Sequence, residues 1–257
     1  MSVFSHSLFM MQRHMRALIR QPFYIAFTLV QPIIWLVLYG QLFQKVVELP
    51  GFHATSYIDF VTPGVVVMTA LFAGGWNGMG VIRDLDGGVM DRFLVSPVHR
   101  TAIIAGRLTS MALVTVIQSL ILIALGFALG ARFAGGVAGI VVLIVTGMLL
   151  AFPFGALSNA LALTVRKEES VIASSNFLLL PLTFLSPVFM AENLMPGWMR
   201  AVSRFNPVNW SVEAARAALS THTDWTIVLT RIAYLAVFSI VSGWVATRAF
   251  RAYQKSV

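Results

Sequence analysis

The chain has 257 residues, of which 58% are hydrophobic and only 11% are charged, and its mean hydropathy is +0.83. Soluble domains carry roughly 25% charged residues, so a chain this poor in charge cannot cover its surface with polar groups and is expected to lie in lipid. Without cysteine it forms neither disulfides nor cysteine-ligated zinc sites, and its net charge of +8 fits the lysines and arginines of cytoplasmic loops better than nucleic-acid binding.

Residues 1–21 are expected to form an amphipathic helix that lies in the membrane interface, and no cleavable signal peptide is expected there. Arg13, Arg16 and Arg20 fall opposite the apolar face, where they can meet lipid phosphates or an acidic partner. A plain lipid anchor and a partner-docking helix both fit this pattern. The apolar face is formed by Phe4, Leu8, Met11, Met15, Leu18 and Ile19.

Six segments are apolar over the ~20 residues that a helix needs to cross a bilayer. The short link between the fourth and fifth, residues 166–170, predicts a tight hairpin. The predicted spans are 23–43, 60–82, 108–129, 137–165, 171–190 and 226–249.

The lysines and arginines between these spans predict the orientation, because cytoplasmic loops carry an excess of both. An even number of spans places the two termini on one side, together with the loop 83–107. That side holds twelve of the eighteen lysines and arginines, so both termini are expected in the cytoplasm. The twelve are Arg13, Arg16, Arg20, Arg83, Arg92, Arg100, Arg107, Arg166, Lys167, Arg248, Arg251 and Lys255.

The loop after the second span predicts a short cytoplasmic helix over 89–95. Gly87 and Gly88 permit a change of direction before it, and Ser96-Pro97 ends it. An apolar ridge on this helix either docks into a partner protein or packs against the chain's own spans. The ridge consists of Met90, Phe93, Leu94 and Pro97, and the charged residues Asp91 and Arg92 lie beside it.

The segment 191–225, on the outer side, predicts two short helices that dip into the outer leaflet or lie across it; an ordinary amphipathic loop is the alternative. Asn206-Pro207 is a favourable helix start, and a helix from there to about Leu219 is too short to span. A second helix is predicted within 194–205. Trp198 and Trp210 suit the headgroup level.

Motifs for common catalytic and nucleotide sites are absent from the sequence. It contains no G-x-x-x-x-G-K-[ST] phosphate loop, no H-E-x-x-H and no G-x-S-x-G. The spans carry neutral polar residues, which either form interhelical hydrogen bonds or contact a substrate. An energy source for transport is therefore expected outside this chain. The neutral residues are Gln31, Asn77, Gln118, Asn159 and Asn176.

Two motifs resemble those of type 2 ABC exporter permeases. The first is R-D-L-D-G-G-V-M-D-R-F-L-V-S-P-V-H-R-T-A-I-I-A-G-R at 83–107, whose D-R-F at 91–93 is closest to the daunorubicin-resistance subgroup. The second is F-N-P-V-N-W-S-V-E-A-A-R at 205–216, before the last span. With both motifs in order on a six-span chain, the resemblance covers essentially all of 1–257 as a single transmembrane domain.

The resemblance implies an all-α polytopic membrane protein of the bacterial inner membrane, with an interfacial N-terminal helix, a coupling helix in 83–107 and re-entrant outer helices in 191–225. It implies a dimer of this chain with two copies of a separate ATPase subunit, which binds the ATP and Mg²⁺, while this chain holds no cofactor or metal. The implied ATPase-coupling residues are Gly88, Met90, Asp91, Arg92, Phe93, Leu94, Ser96 and Pro97, with Arg13 and Arg16 at the ATPase boundary. The implied outer-gate residues are Asn206, Pro207, Trp210, Glu213 and Arg216.

The expected function is therefore the export of a hydrophobic or amphipathic compound, such as a drug, an antibiotic or a lipid-like product. The family carries no motif for substrate contact, so no substrate-binding residue is expected from the resemblance. Two alternatives stand beside it. One is an ion-coupled carrier, disfavoured by the uncharged spans; the other is a lipid-modifying membrane enzyme, for which Glu213 and Arg216 are the one candidate pair.

Overall fold

The computed structural model describes residues 22–49, 52, 56–88 and 100–255. The predicted amphipathic helix 1–21 and the helix predicted over 89–95 lie outside the described residues and stay predictions. Every regular element in the described part of the chain is helical, which confirms the all-α class.

Nine α-helices and two short 3₁₀ turns follow one another along the described residues. The 3₁₀ turns are Gln44–Glu48 and Glu192–Leu194. The α-helices are α1 (Pro22–Leu42), α2 (Tyr57–Gly75), α3 (Met79–Asp86), α4 (Arg100–Ala128), α5 (Gly136–Val165), α6 (Glu168–Phe184), α7 (Gly197–Ser203), α8 (Pro207–Leu219) and α9 (Trp225–Lys255).

Four stretches of the described chain are long and apolar enough to cross a membrane: Tyr57–Asp86, Gly106–Ala128, Gly136–Val165 and Trp225–Arg248. They coincide with the second, third, fourth and sixth predicted spans. The helices at the first and fifth predicted spans, α1 and α6, have 21 and 17 residues, so α6 is shorter than the ~20 residues that a helix needs to cross a bilayer.

The second and fifth predicted spans differ from the helices found there. The sequence predicted one helix over 60–82, whereas α2 ends at Gly75 and α3 begins at Met79, with a turn between them. The fifth span was predicted over 171–190, but α6 ends at Phe184 and residues 185–190 form an irregular stretch, here called the outer turn. Ser186 precedes Pro187, and a proline disfavours the helical conformation of the residue before it.

Helix α5 lies at the centre of the fold, in contact with α2, α4, α8 and α9. Its fully buried Leu143 and Leu150 belong to one apolar core with Val66 and Leu71 of α2 and Val212 of α8. Helix α2 is buried on nearly all sides. The second span is therefore an internal helix, and the elements around it contact it at both of its ends.

Large apolar side chains stay exposed on the outward faces of the peripheral helices. Phe27 of α1 is 74% exposed, Phe177 of α6 is 84% exposed and Ile240 of α9 is 72% exposed. A soluble monomer rarely shows contiguous apolar surface of this kind. The exposure fits helices whose solvent is lipid.

Three of the five neutral polar side chains predicted to bond between helices do so. The Asn77 Nδ2 atom donates to Asn159 Oδ1 at 3.2 Å, and the Gln118 Nε2 atom donates to Thr28 Oγ1 at 3.0 Å. The second bond ties α4 to α1. The interhelical interpretation is thereby confirmed for these residues, and each bond of this kind contributes ~0.6–2 kcal/mol within a membrane.

Candidate functional site

Asn206 joins the start of α8 to the end of α6. Its side-chain oxygen accepts a hydrogen bond from the Val208 amide at 2.9 Å, which caps α8 as the N-P pair predicts. Its Nδ2 atom donates to the carbonyls of Leu182 and Leu185 at 2.7 and 3.0 Å, where α6 leaves carbonyls without intrahelical partners. With Pro207 in the first helical turn, one amide thus satisfies two helix ends.

Arg216, one turn from the end of α8, holds the backbone of two other elements. Its Nη2 atom donates to the Phe60 carbonyl at 3.0 Å and to the Val188 carbonyl at 3.1 Å. Its guanidinium carbon lies 3.5 Å from the centre of the Phe60 ring, within cation–π range. Burial lowers the pKa of Arg216 to about 9, opposed by Tyr57 and Glu213, so the side chain is still charged at neutral pH.

The outer turn is held through its carbonyls by side chains from two helices. The Arg216 guanidinium binds the Val188 carbonyl, and the Tyr57 hydroxyl of α2 donates to the Phe189 carbonyl at 2.8 Å. Gly64 of α2 allows this approach, because a Cβ atom there would lie 2.5 Å from the Val188 oxygen. The turn therefore packs directly on α2 and cannot move away without breaking these bonds.

Glu213 pairs with Arg231 of α9 and not with Arg216. Its Oε2 atom lies 2.5 Å from Arg231 Nε, and its Oε1 atom accepts from Asn209 Nδ2 at 3.0 Å. Burial raises the pKa of Glu213, while the charge of Arg231 opposes that rise. The two residues considered together as a catalytic candidate are therefore not paired with each other: Arg216 binds the Phe60 and Val188 carbonyls, and Glu213 binds Arg231.

Trp210 completes the motif on α8. Its indole nitrogen donates to the Arg204 carbonyl at 2.7 Å, and its ring meets Tyr234 of α9 edge to face at 5.4 Å between centroids. The five predicted outer-gate residues therefore lie together along one short helix. Their polar side chains bind a helix start, backbone carbonyls and the side chains of Asn209 and Arg231, which suits holding the surrounding elements together better than bond-making chemistry.

At the opposite end of the second span, two ion pairs fix helix α3. Asp84 pairs with Arg107 of α4, and both side chains are largely buried, 17% and 8% exposed. Arg83 lies 3.3 Å from Glu168 at the start of α6, in a more exposed pair. Asp84 precedes the segment 89–99 and Arg107 follows it, so the buried pair closes the base of the loop that the sequence assigns to coupling.

Gly88 is the one coupling residue of the sequence prediction that lies among the described residues. Its φ angle of 63° belongs to the left-handed region, which glycine adopts without strain and which turns the chain away from α3. The remaining predicted coupling residues lie outside the described part of the chain and stay predictions. They are Met90, Asp91, Arg92, Phe93, Leu94, Ser96 and Pro97, with Arg13 and Arg16 of the N-terminus.

The model of the family described as ABC-2 type transporter matches residues 7–220, which include both ends of the second span and all of α8. The chain belongs to the ABC-2 type transporter family. This confirms the family resemblance, and the chain is a transmembrane subunit of an ABC transporter.

Curated relatives of this ABC-2 chain are named as permeases. The daunorubicin resistance ABC transporter permease protein DrrB1 of Streptomyces coeruleorubidus is 32% identical over 211 residues, covering 79% of this chain and 71% of that protein. The putative transport permease ycf38 of Cyanophora paradoxa is 30% identical, with 87% and 77% covered. The inner membrane transport permease YadH of Escherichia coli K12 is 25% identical, with 83% of each covered.

Sequence reasoning placed Asp84 and Arg107 in a family motif without pairing them. Opposite charges on either side of one short loop are a signal that they meet, and this pairing was available from the sequence. The sequence gave no corresponding signal for Ser158 and Ser175. Both donate to the carbonyl of Gly75, at the point where the second span departs from regular helix. A serine that binds a distant carbonyl looks, in sequence, like any other small residue of an apolar helix.

Proposed function

We propose that this chain is the permease subunit of an ATP-driven exporter, in which two copies form the translocation pathway with two copies of a separate ATPase subunit. The observation that carries the proposal is the family match over 7–220 on a chain whose sequence contains no phosphate-binding loop. ATP and Mg²⁺ bind to the ATPase, and this chain contributes no catalytic group.

The coupling contact is assigned to residues 88–97, with Arg13 and Arg16 at the boundary between the ATPase and the membrane. The start and return of this segment are fixed by the Asp84–Arg107 pair, so a displacement of the segment is passed to both α3 and α4. ATP-driven closure of the ATPase pair moves the segment, and the spans on either side follow. A mechanical link of this kind needs a two-state element biased by nucleotide.

The membrane layout is six spans with both termini in the cytoplasm of a bacterial inner membrane. Contacts between the described helices support the alternation of ends. At one end Asp59 accepts from the Arg132 amide at 2.6 Å, and the Gly135 amide donates to the Leu219 carbonyl at 3.0 Å. At the other end lie the pairs of Arg83 and Asp84 with Glu168 and Arg107, respectively. Helix α8 thus lies at the outer end of the spans, and the residues that flank the coupling segment lie at the inner end.

The cargo is a hydrophobic or amphipathic compound, and the name of the relative DrrB1 points to daunorubicin as the first probe. Inside-out membrane vesicles that contain the complex are expected to quench daunorubicin fluorescence on addition of ATP. Transport that survives ATP depletion and collapses with an uncoupler of the proton gradient establishes an ion-coupled carrier instead.

The docking role of the coupling segment is tested with Phe93→Asp, compared with Phe93→Leu. An apolar anchor in a partner pocket loses most of its binding when replaced by a charge, whereas leucine keeps it. With a tag on this chain, the ATPase is expected to co-purify with the wild type and with Phe93→Leu and to be lost with Phe93→Asp. If the Phe93→Asp complex stays intact and still transports, the assigned docking site is wrong.

A further inference from the structure

The second span is interrupted at Trp76–Gly78, where its hydrogen-bond pattern changes. The Asn77 amide bonds to Gly74, the Met79 amide to Trp76 and the Gly80 amide to Asn77, each three residues back. In a continuous α-helix the Met79 amide would bond to the Gly75 carbonyl, four residues back. The Gly75 carbonyl is therefore released from helical pairing.

Two serine hydroxyls take the place of the missing helical bond. Ser158 Oγ of α5 donates to the Gly75 carbonyl at 2.5 Å, and Ser175 Oγ of α6 donates to the same carbonyl at 2.7 Å. Ser158 Oγ also accepts from the Gly78 amide at 3.0 Å. Ser158 thus bridges both sides of the break, while Ser175 adds a second bond on one side only.

The break is built into the packing around it. Ser158 and Ser175 are 5% and 7% exposed. A Cβ atom at Gly78 would collide with the backbone oxygen of Ser158, so glycine is what allows α5 to reach the turn. Irregular backbone at membrane depth is tolerated only where protein or a water-filled cavity satisfies it. Here the satisfying groups come from the chain's own α5 and α6.

Helix α3, beyond the break, is a short body attached to three other helices. Its Val81 and Ile82 pack against Ala162, Leu163 and Val171 of α5 and α6. Its Asp84 is paired with α4, and Gly88 then leads into residues 89–99. The serines therefore fix the pivot of the element from which the coupling segment leaves.

We propose that Ser158 and Ser175 are positioning residues for energy coupling: they hold the second span in its broken form and thereby set the position of α3 and of the segment that follows it. The alternative form is a continuous helix in which the Met79 amide takes the Gly75 carbonyl. Exchange of that carbonyl between two hydroxyls and one amide makes the break a two-state element. The inference rests on the proposed permease function, since it assigns a role in the response to nucleotide.

The bonding pattern predicts an order among variants. Because a carbonyl accepts two bonds, Ser175→Ala leaves the Gly75 oxygen satisfied by Ser158 and has a small effect. Ser158→Ala also removes the partner of the Gly78 amide and has a larger effect. In the double alanine variant the Gly75 carbonyl has lost both hydroxyls, and the loss exceeds the sum of the single effects. Ser239→Ala is the matched control, because Ser239 Oγ of α9 also donates to a carbonyl without a helical donor, at 2.9 Å, but one far from the break: that of Leu149 in α5, four residues before Pro153, which has no amide hydrogen.

The test measures the position of α3 in the permease–ATPase complex, purified from native membranes through a tag on this chain. The chain has no cysteine, so spin labels can be placed at Asp86→Cys and Lys167→Cys, both exposed in the structure, to report the distance between α3 and the α5–α6 link. Because the complex holds two copies of the chain, the two singly labelled variants identify the distances between copies. Wild type, Ser239→Ala and the variant Ser158→Thr with Ser175→Thr, which keeps both hydroxyls, are expected to show one distance without nucleotide and another with ATP and vanadate. The double alanine variant is expected to populate both distances without nucleotide, with a ratio changed about fivefold for each lost hydrogen bond.

The outcomes separate the inference from the proposed function. If no ATPase co-purifies, the proposed function fails. If an ATPase co-purifies and hydrolyses ATP while the wild-type distance is the same with and without nucleotide, the inference fails alone. It also fails if the double alanine variant keeps the wild-type distances, or if Ser239→Ala disturbs them equally.

Discussion

Replacing Arg216 by methionine is the sharpest test of the contacts that hold the outer turn on α2. The change keeps much of the side-chain volume but removes the bonds to the Phe60 and Val188 carbonyls and the contact with the Phe60 ring. Hydrogen bonds to charged groups contribute about 1.5–3 kcal/mol each. Burying the guanidinium offsets part of that, so we expect Arg216→Met to cost about 2–4 kcal/mol.

That free energy translates into a measurable melting shift. For a chain of this size, 1 kcal/mol moves the melting temperature by about 2–4 °C, so the expected loss is about 4–16 °C. Tryptophan fluorescence of the protein in detergent reports it, at one fixed heating rate. Arg216→Lys is expected to lose about half as much, because an ammonium lacks the planar stacking on Phe60 and does not reproduce the fork of donors.

Arg200→Met is the matched control for this experiment. Arg200 is half-buried and also donates to backbone carbonyls, those of Glu192, Asn193 and Met195, but these lie only five to eight residues away in its own segment. Its loss is expected to shift the melting temperature by less than about 4 °C, since local contacts tie no separate element to the fold, whereas those of Arg216 do. Equal shifts for the two methionine variants refute the assignment of a special role to the buried guanidinium.

Two further predictions concern the other contacts that fix the span ends. Arg107→Met removes the charge with which Asp84 pairs in a largely buried place and is expected to cost about 3–5 kcal/mol of stability, measured as the folded yield from membranes. The swap of Asp84→Arg with Arg107→Asp is expected to recover part of that loss. Asn206→Asp and Asn206→Ser both keep the cap on Val208, but the aspartate sets a carboxylate against the Leu182 and Leu185 carbonyls. The aspartate variant is therefore expected to melt at a lower temperature than the serine variant, although helix capping alone ranks the two residues nearly equal. A higher melting temperature for the aspartate variant contradicts the double role of Asn206.

The features that sequence predicted well depend on local chemistry. Helix α8 begins at Pro207 and ends at Leu219, as the Asn-Pro start and the apolar pattern indicate, because capping involves residues two positions apart. Helix α5 begins and ends within one residue of the predicted fourth span, because its apolar sequence is continuous and therefore also a local signal. The early end of α6 was also within reach, since Pro187 disfavours helix at Ser186.

The features that sequence missed depend on partners far along the chain. Arg216 binds carbonyls 156 and 28 residues away, and every residue has a carbonyl, so no residue type marks the acceptor. The break after Gly75 is stabilised by serines 83 and 100 residues away, while the local sequence fits a continuous span. In both cases the acceptor is a backbone carbonyl that no residue type marks, and at the break the donor serines are unremarkable as well.

The two ends of the second span are held by the same kind of contact, and this bears on how the subunit changes shape. Within lipid, a carbonyl released from a helix must find another donor, so a departure from helix persists only where a neighbouring element supplies one. Arg216 and Tyr57 supply it at the outer turn, and Ser158 and Ser175 supply it at the break. Each of these carbonyls can change partner without being left unpaired only if a second donor is in reach. The Gly75 carbonyl has such a donor in the Met79 amide of its own helix. The inner break is therefore the place where the second span can switch at low cost, and the buried guanidinium fixes the outer end against which it moves.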